Sequence, residues 1–207
     1  MKKENIPGKL KQSFTVTVIL MLLCGLVFPL VLAGISSVLF PTQAKGNLVE
    51  AGGRKVGSEY VGQQFTEAYF MKGRPSAVGY NTYETKEEAL IPSSGSDNFA
   101  PSNPELVKRV KTDMEAFLKA NPDINKEDIP TDLLTASGSG LDPHISPASA
   151  EIQIPAIAEA SGISEKQLAE IVKNNTNGKL FGLIGEETVN VLGVNIEIAE
   201  EMGLLEK

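Results

Sequence analysis

Cysteine, histidine and tryptophan are almost missing from this chain of 207 residues, which has one cysteine, one histidine and no tryptophan. The single cysteine, Cys24, excludes an intramolecular disulfide, so a folded domain must be stabilised by its own apolar core. The usual zinc ligand sets need several histidines or cysteines, and this chain has only His144 and Cys24. A metal site would therefore depend on oxygen ligands, which suit a hard cation. The sequence also contains no Walker-type phosphate-binding motif and no G-x-S-x-G nucleophile elbow.

Charge is absent from one long segment, since no Asp, Glu, Lys, Arg or His occurs from Phe14 to Phe40. As a helix this segment would reach roughly 40 Å, against about 30 Å for the hydrocarbon core of a bilayer. Its many Leu, Val, Ile and Phe residues outweigh the cost of Pro29, and proline is tolerated in membrane helices because neighbouring helices can satisfy the freed carbonyl. The pattern predicts a transmembrane helix over residues 14–40.

Two other interpretations of the apolar segment are weaker. A cleaved secretory signal, with Thr42-Gln43-Ala44 as the cleavage site, would have an apolar region of only about 7–15 residues. A buried helix of a globular protein would have a polar face, which this segment lacks. Ala33 and Ser37 form a small-xxx-small pair, which favours close packing of the membrane helix on a partner.

The flanking charges predict the orientation of the helix. The charged residues before it are Lys2, Lys3, Glu4, Lys9 and Lys11. Only Lys45 and Arg54 follow closely after it, and Lys and Arg favour the cytoplasmic side. Residues 1–13 are therefore expected to form a cytoplasmic tail, and the C-terminal part is expected to lie outside the cytoplasm. That part is strongly acidic, which argues against nucleic acid as a partner.

The remaining sequence predicts one small α+β domain. Residues 41–57 have no strong periodicity and are expected to form a stem or connector, and residues 58–207 to form an extracytoplasmic domain of mixed α/β structure. Aromatic residues cluster from Tyr60 to Tyr80, which favours a core segment over an interface. The residues from Gly79 to Phe99 are polar and rich in turn formers, and the stretch IPSSGSDNF within them, residues 91–99, predicts a surface loop.

Several helices have clear start signals. Asn103 and Pro104 predict a helix that ends near Asn121. Ser146-Pro147 predicts another toward Ala160, divided or kinked by Pro155 and followed by Gly162. Ser164 and Gln167 form a capping box for a helix that ends near Asn174, with Ile163 and Leu168 as its hydrophobic staple. Val189 and Val191 predict a short strand before a final helix.

The stretch TASGSGLDPHISPASA, residues 135–150, contains the residue types that most resemble a catalytic site. Ser137 or Ser139, Asp142 and His144 supply the residue types of a hydrolytic triad, which leaves a membrane-anchored serine hydrolase as an alternative function. The spacing gives this little support, because only Pro143 separates Asp142 from His144. A structural turn before a helix is the favoured interpretation.

Five segments resemble a known family, in the family's order, behind one N-terminal membrane helix. They are VGQQF at 61–65, YFMKGRPSA at 69–77, PSNPEL at 101–106, DLLTASGSGLDPHISPASA at 132–150 and VNVL at 189–192. The chain is thereby similar to the C subunit of the Kdp-type potassium-transporting ATPase, over nearly its whole length. Two segments depart from the family pattern: residues 94–98 read SGSDN in place of SGGSN, and Glu187 and Thr188 replace a proline and an arginine.

The resemblance implies a non-catalytic accessory subunit in the cell membrane. Its partners would be a channel-like A subunit, a P-type B subunit and membrane lipid, with no cofactor of its own and ATP bound by the complex. The family also carries a proposal that this subunit acts as a catalytic chaperone that raises the ATP affinity of the B subunit, for which Gln63 is the matching residue. The loop containing Ser137, Gly138, Ser139, Gly140, Asp142 and His144 would be a partner-contact surface. An extracellular binding protein without a pump partner is a third class of function that the sequence leaves open.

Overall fold

The computed structural model describes residues 6–83, 85 and 91–205. Contacts within the chain divide it into two compact units, Met1–Asn47 and Leu48–Lys207. The first unit is a long helix made of α1 Ile6–Leu22, a π-helical turn Leu23–Val27 and α2 Phe28–Leu39, followed by the short α3 Pro41–Ala44. By length and composition, the 33 residues Pro7–Leu39 are sufficient to cross a membrane. This matches the membrane helix that the sequence predicts.

The π-helical turn gives a local account of Pro29. Proline has no N–H, and its ring clashes with the carbonyl group four residues earlier, here that of Gly25. The wider π turn at Leu23–Val27 contains Gly25 and provides the room. The backbone of the helix itself thus makes a local adjustment to Pro29. Further along, the Ser37 hydroxyl donates to the Ala33 carbonyl at 2.7 Å and is satisfied within the helix.

The second unit is a mixed α/β domain with two small antiparallel sheets. Its strands are β1 Leu48–Ala51, β2 Arg54–Ser58, β3 His144–Ile145, β4 Thr176–Asn177 and β5 Thr188–Asn190, and its helices are α4 Pro104–Ala120, α5 Pro147–Glu151, α6 Ile154–Ser161, α7 Glu165–Asn174 and α8 Val191–Glu201. Strands β1 and β2 form a hairpin, and β5 is the centre of a sheet with the order β3-β5-β4. Residues 41–57, expected as a connector, therefore contain α3 and most of this hairpin.

An aliphatic core lies under the helices of the C-terminal half. The buried cluster comprises Met71, Ile145, Ala150, Ile154, Ile157, Ile163, Leu168, Ile171, Val172, Val189, Val191, Val194 and Ile198. Phe65 and Phe70 pack against it partly buried, whereas Tyr60 is 60% exposed. The aromatic segment therefore contributes to the edge of the core, and only part of it matches the expectation of a core segment.

The predicted helix start signals are confirmed. The Ser164 hydroxyl accepts from the Gln167 N–H at the start of α7, and the Ser146 hydroxyl accepts from the Ser149 N–H at the start of α5. The break between α5 and α6 falls just before Pro155. Gly162, at φ +75°, ends α6 in the left-handed conformation that glycine adopts without strain.

One feature differs from the sequence prediction. Val191 begins α8, and its assignment to a strand is wrong, because the Asn190 side chain accepts from the Gly193 N–H and caps a helix at that point. Helix α4 has the predicted Asn103 cap, with Glu105 N–H as the donor. None of the residues of α4 is fully buried.

The extended segment at Met71 and Lys72 is held by two side-chain amides. Asn195 Oδ1 accepts from the Met71 N–H at 2.7 Å, and Asn195 Nδ2 donates to the Met71 carbonyl at 2.9 Å. Gln153 repeats the arrangement on Lys72, where Oε1 accepts from the N–H at 2.9 Å and Nε2 donates to the carbonyl at 3.2 Å. Both amides are buried. They satisfy backbone groups that a neighbouring strand would otherwise satisfy.

Asn195→Leu tests this arrangement, since it removes the amide and keeps a side chain of similar volume. We expect the free energy of unfolding to fall by about 2–4 kcal/mol, because the Met71 N–H and carbonyl would stay buried without partners. Thermal unfolding of the full-length protein in detergent, followed by circular dichroism, measures the change. Asn174→Leu, at an exposed position of α7, is the matched control and should shift stability by less than about 0.5 kcal/mol. Equal midpoints for the two variants would contradict the assigned role.

Candidate functional site

Arg74 connects the extended segment to the motif loop, which we define as residues 135–144. Its Nη1 lies 3.1 Å from Asp142 Oδ2, in an ion pair whose two side chains are both partly buried. Its Nε donates to the Thr135 carbonyl at 3.4 Å. One guanidinium group therefore holds both ends of the loop, a geometry that the planar donor fork of arginine favours.

Ser76 and Tyr80 form a second support for the loop. The Ser76 hydroxyl donates to the Gly140 carbonyl at 2.6 Å and accepts from the Tyr80 N–H at 2.9 Å. The Tyr80 hydroxyl donates to the Arg74 carbonyl at 2.6 Å. Burial and the Asp142 carboxylate raise the pKa of Tyr80 to about 12, although Arg74 partly opposes the shift. Tyr80 also has a φ of +53°, a costly conformation for an aromatic residue that these contacts stabilise.

Two glycines allow other segments to approach the motif loop closely. The Gly62 N–H donates to the Leu141 carbonyl at 2.8 Å, and a Cβ at position 62 would lie only 2.5 Å from the Asp142 carbonyl oxygen. Gly140 has a φ of +67°, and a Cβ there would lie 2.8 Å from the Gly95 carbonyl oxygen. Any larger residue at either position would push these segments apart.

Asp132 fixes the chain just beyond the motif loop. One carboxylate oxygen accepts from the Ser146 N–H at 2.8 Å, and the other accepts from the Ser149 hydroxyl at 2.6 Å and the Ser146 hydroxyl at 3.1 Å. Burial raises the pKa of Asp132, but the hydrogen bonds from Ser149 and Ser146 outweigh burial and lower the pKa below its ordinary value. The carboxylate thus stabilises the start of α5 in its ionised form.

The residues of the possible triad have structural partners in the loop. Ser137 is buried and its hydroxyl accepts from the Gly140 N–H, while the exposed Ser139 accepts from the Leu141 N–H. Asp142 Oδ1 accepts from the His144 N–H at 3.0 Å and lies 3.9 Å from His144 Nδ1. Within residues 6–83, 85 and 91–205, no hydrogen bond joins His144 to either serine. The loop therefore brings Asp142 and His144 together without the nucleophile–base contact that acyl transfer needs.

A cavity of about 760 Å³ lies beside this region, between α4, α6 and the segment from Gln63 to Tyr80. Gln63 lines it and donates from Nε2 to the Val56 carbonyl at 2.9 Å, so its amide anchors strand β2. The Lys72 ammonium group, also on the wall, donates to the Phe65 and Glu67 carbonyls. Burial lowers the pKa of Lys72, and the Glu67 carboxylate partly opposes this. In the described part of the chain, no group of three or more His, Cys, Asp or Glu side chains is placed to hold a metal ion.

Sequence analysis missed the residues that hold the loop: Arg74, Ser76, Tyr80, Gly62 and Asp132. Four of them lie inside the segments that carry the family resemblance, namely Gly62 in VGQQF, Arg74 and Ser76 in YFMKGRPSA, and Asp132 at the start of the longest match. Their position in these segments was the sequence signal that could have identified them. Tyr80 had none.

The fold and the motif loop define a membrane-anchored protein with one small α+β domain. The family model described as "K+-transporting ATPase, c chain" (KdpC) matches residues 10–200, and the chain belongs to this family. It is 61% identical over 202 residues to the potassium-transporting ATPase KdpC subunit of Clostridium kluyveri, covering 96% of each chain. It is 58% identical over 207 residues to that of Clostridioides difficile, covering 95% of this chain and 99% of the relative. With the KdpC subunit of Caldanaerobacter subterraneus it shares 42% identity over 194 residues, covering 94% of this chain and 96% of the relative.

Asp132→Asn should make the domain less stable at neutral pH and less sensitive to acid. Because the folded-state pKa of Asp132 lies below its ordinary value of 3.8, its stabilising effect is complete well above that pH and is lost as the pH falls through the folded-state pKa. Between about pH 7 and about pH 3, the difference in unfolding free energy between wild type and variant should therefore narrow as the pH falls. Asp123→Asn, at an exposed position, is the control. A constant difference across this range would count against the assignment.

Proposed function

We propose that this chain is a non-catalytic accessory subunit of a K+-transporting ATPase complex, needed for its assembly. Its partners are a channel-like A subunit and a P-type B subunit. The family assignment supports membership of the complex. The finer role is supported by the chemistry of the domain, because the polar groups that looked catalytic are hydrogen-bonded to the protein's own backbone and side chains.

The observation that carries the proposal is that the motif loop is held rigidly on one side and exposed on the other. Arg74 and Ser76 hold the loop from beneath, and Gly62 packs against it. Gly138 and Ser139 remain exposed at its outer side. A loop with a fixed shape and small exposed residues suits close contact with another protein, because little conformational freedom is lost on binding.

The charges support a position outside the cytoplasm. Lysines concentrate before the membrane helix, which favours a cytoplasmic N-terminus and an outer domain 48–207. We propose that the acidic domain sits over the potassium entrance of the A subunit and braces the A and B subunits against each other. An acidic surface raises the cation concentration within a Debye length.

This topology bears on Gln63 and ATP. ATP is cytoplasmic, and a polar domain cannot cross the bilayer to meet it. We therefore assign Gln63 a structural role, in which its amide holds β2 through the Val56 carbonyl, and we place ATP on the B subunit of the complex.

Gly138→Trp tests the partner-contact role of the motif loop. A Cβ at Gly138 meets no atom within 4 Å, so the variant should fold normally. The bulky indole would then block a partner, and we expect recovery of the other subunits in affinity purification to fall at least about tenfold, the effect of about 1.4 kcal/mol. Glu170→Trp, on the exposed face of α7, is the matched control. Full recovery of the other subunits with Gly138→Trp would contradict the partner-contact role of this loop.

Gln63→Ala separates the structural role from the nucleotide role. We expect photo-crosslinking of an ATP analogue in inside-out vesicles of the complex to be unchanged, while thermal stability falls by about 1 kcal/mol through loss of the bond to Val56. Gln64→Ala, at the exposed neighbouring position, is the control for both measurements. The assignment fails if labelling of this subunit is present in the Gln64 variant and lost in the Gln63 variant.

A further inference from the structure

The loop between β4 and β5 carries four large apolar side chains on the surface. We define the apolar tip as residues Leu180–Ile184; its Leu180, Phe181, Leu183 and Ile184 are 60%, 86%, 85% and 64% exposed. Single exposed apolar residues are normal, but four within five positions form a contiguous patch of the kind that marks an interaction site. Neither the motif loop nor the cavity beside it includes these residues.

The tip has a defined turn. The Leu180 N–H donates to the Ile184 carbonyl at 2.8 Å, and the Ile184 N–H donates back to the Leu180 carbonyl at 3.1 Å. The Gly182 N–H donates to the Lys179 carbonyl at 2.9 Å. Phe181 has a φ of +54°, which is unfavourable for an aromatic residue. The isolated domain thus holds a strained phenylalanine in water.

The chemistry of the tip favours lipid over a protein partner. Protein-interface hot spots are enriched in Trp, Tyr and Arg, whose polar atoms fix a specific partner. Side chains of the tip have no polar atoms at all, and Leu180–Gly185 contains no charged residue. A nonpolar environment requires backbone groups to be paired internally, and the turn pairs the N–H groups of Leu180, Gly182 and Ile184. Lys179, just before the tip, can extend its alkyl stem toward lipid and its ammonium group toward phosphate.

The chain itself keeps a bilayer close to this domain. The membrane helix ends at Leu39 and the domain begins at Leu48. The connecting residues span at most about 30 Å even when fully extended, so the bilayer is present at high effective concentration. We propose that the apolar tip inserts shallowly into the interfacial region of the bilayer that its own helix spans. Insertion of the tip would be a second membrane contact beside the helix, and it does not depend on the accessory role proposed above.

Fluorescence quenching tests the insertion directly. Full-length protein, purified with its transport complex, carries Cys24→Ala and Leu183→Cys, is labelled with the environment-sensitive dye NBD and is reconstituted into phosphatidylcholine–phosphatidylglycerol vesicles. We expect blue-shifted emission that is quenched by spin-labelled lipids and protected from aqueous iodide. A label at Val107→Cys, on the exposed side of α4, is the control and should show the opposite pattern. Adding Phe181→Ser and Ile184→Ser to the Leu183→Cys protein should abolish quenching by lipid.

Each other outcome overturns the proposal. Quenching by iodide without quenching by lipid would place the tip in water. Protection from both quenchers would place it against another subunit of the complex. Lipid quenching that persists in the Phe181→Ser and Ile184→Ser background would mean that the tip's apolar side chains do not drive the contact.

Discussion

Two buried amides, those of Gln153 and Asn195, determine where the candidate site lies. They pair with the backbone of Met71 and Lys72 and fix an extended segment that has no strand beside it in the described structure. Arg74 and Ser76 lie a few residues further along that segment, and they hold the motif loop at Asp142 and Gly140. Since a buried backbone group without a partner costs about 1–3 kcal/mol, the amides keep the segment in one register. The position of the loop follows from that register.

The loop illustrates how a set of catalytic residue types can serve a structural purpose. Asp142 accepts from both Arg74 and the His144 N–H, so its lone pairs are already directed at groups of the protein. Ser137 and Ser139 accept from backbone N–H groups two or three residues ahead, a local pattern that stabilises turns. Each of these bonds restrains the conformation of the loop. This restraint supports the contact role proposed for the motif loop.

Local features of the fold were predictable from sequence, and long-range ones were not. The caps at Asn103, Ser146 and Ser164 depend on residues two or three positions apart, so the pattern and the structure agree. In contrast, Arg74 and Asp142 are 68 residues apart, and Met71 and Asn195 are 124 apart. Nothing in composition or periodicity links such pairs. Val191 is an intermediate case. The alternation of Val189 and Val191 correctly predicts a strand at Val189, but the Asn190 side chain caps a helix that begins at Val191.

The apolar side chains of the domain fall into two groups, those buried in its core and those exposed on its surface. The core is built from Ile, Leu, Val, Ala and Met, and the described aromatic residues stay at its edge or on the surface. Phe181 is the extreme case, because its φ of +54° costs backbone energy and its side chain gains no burial within the domain. A conformation that is unfavourable in both respects adds nothing to folding. The proposed insertion of the apolar tip into the bilayer would supply the burial that Phe181 lacks within the domain.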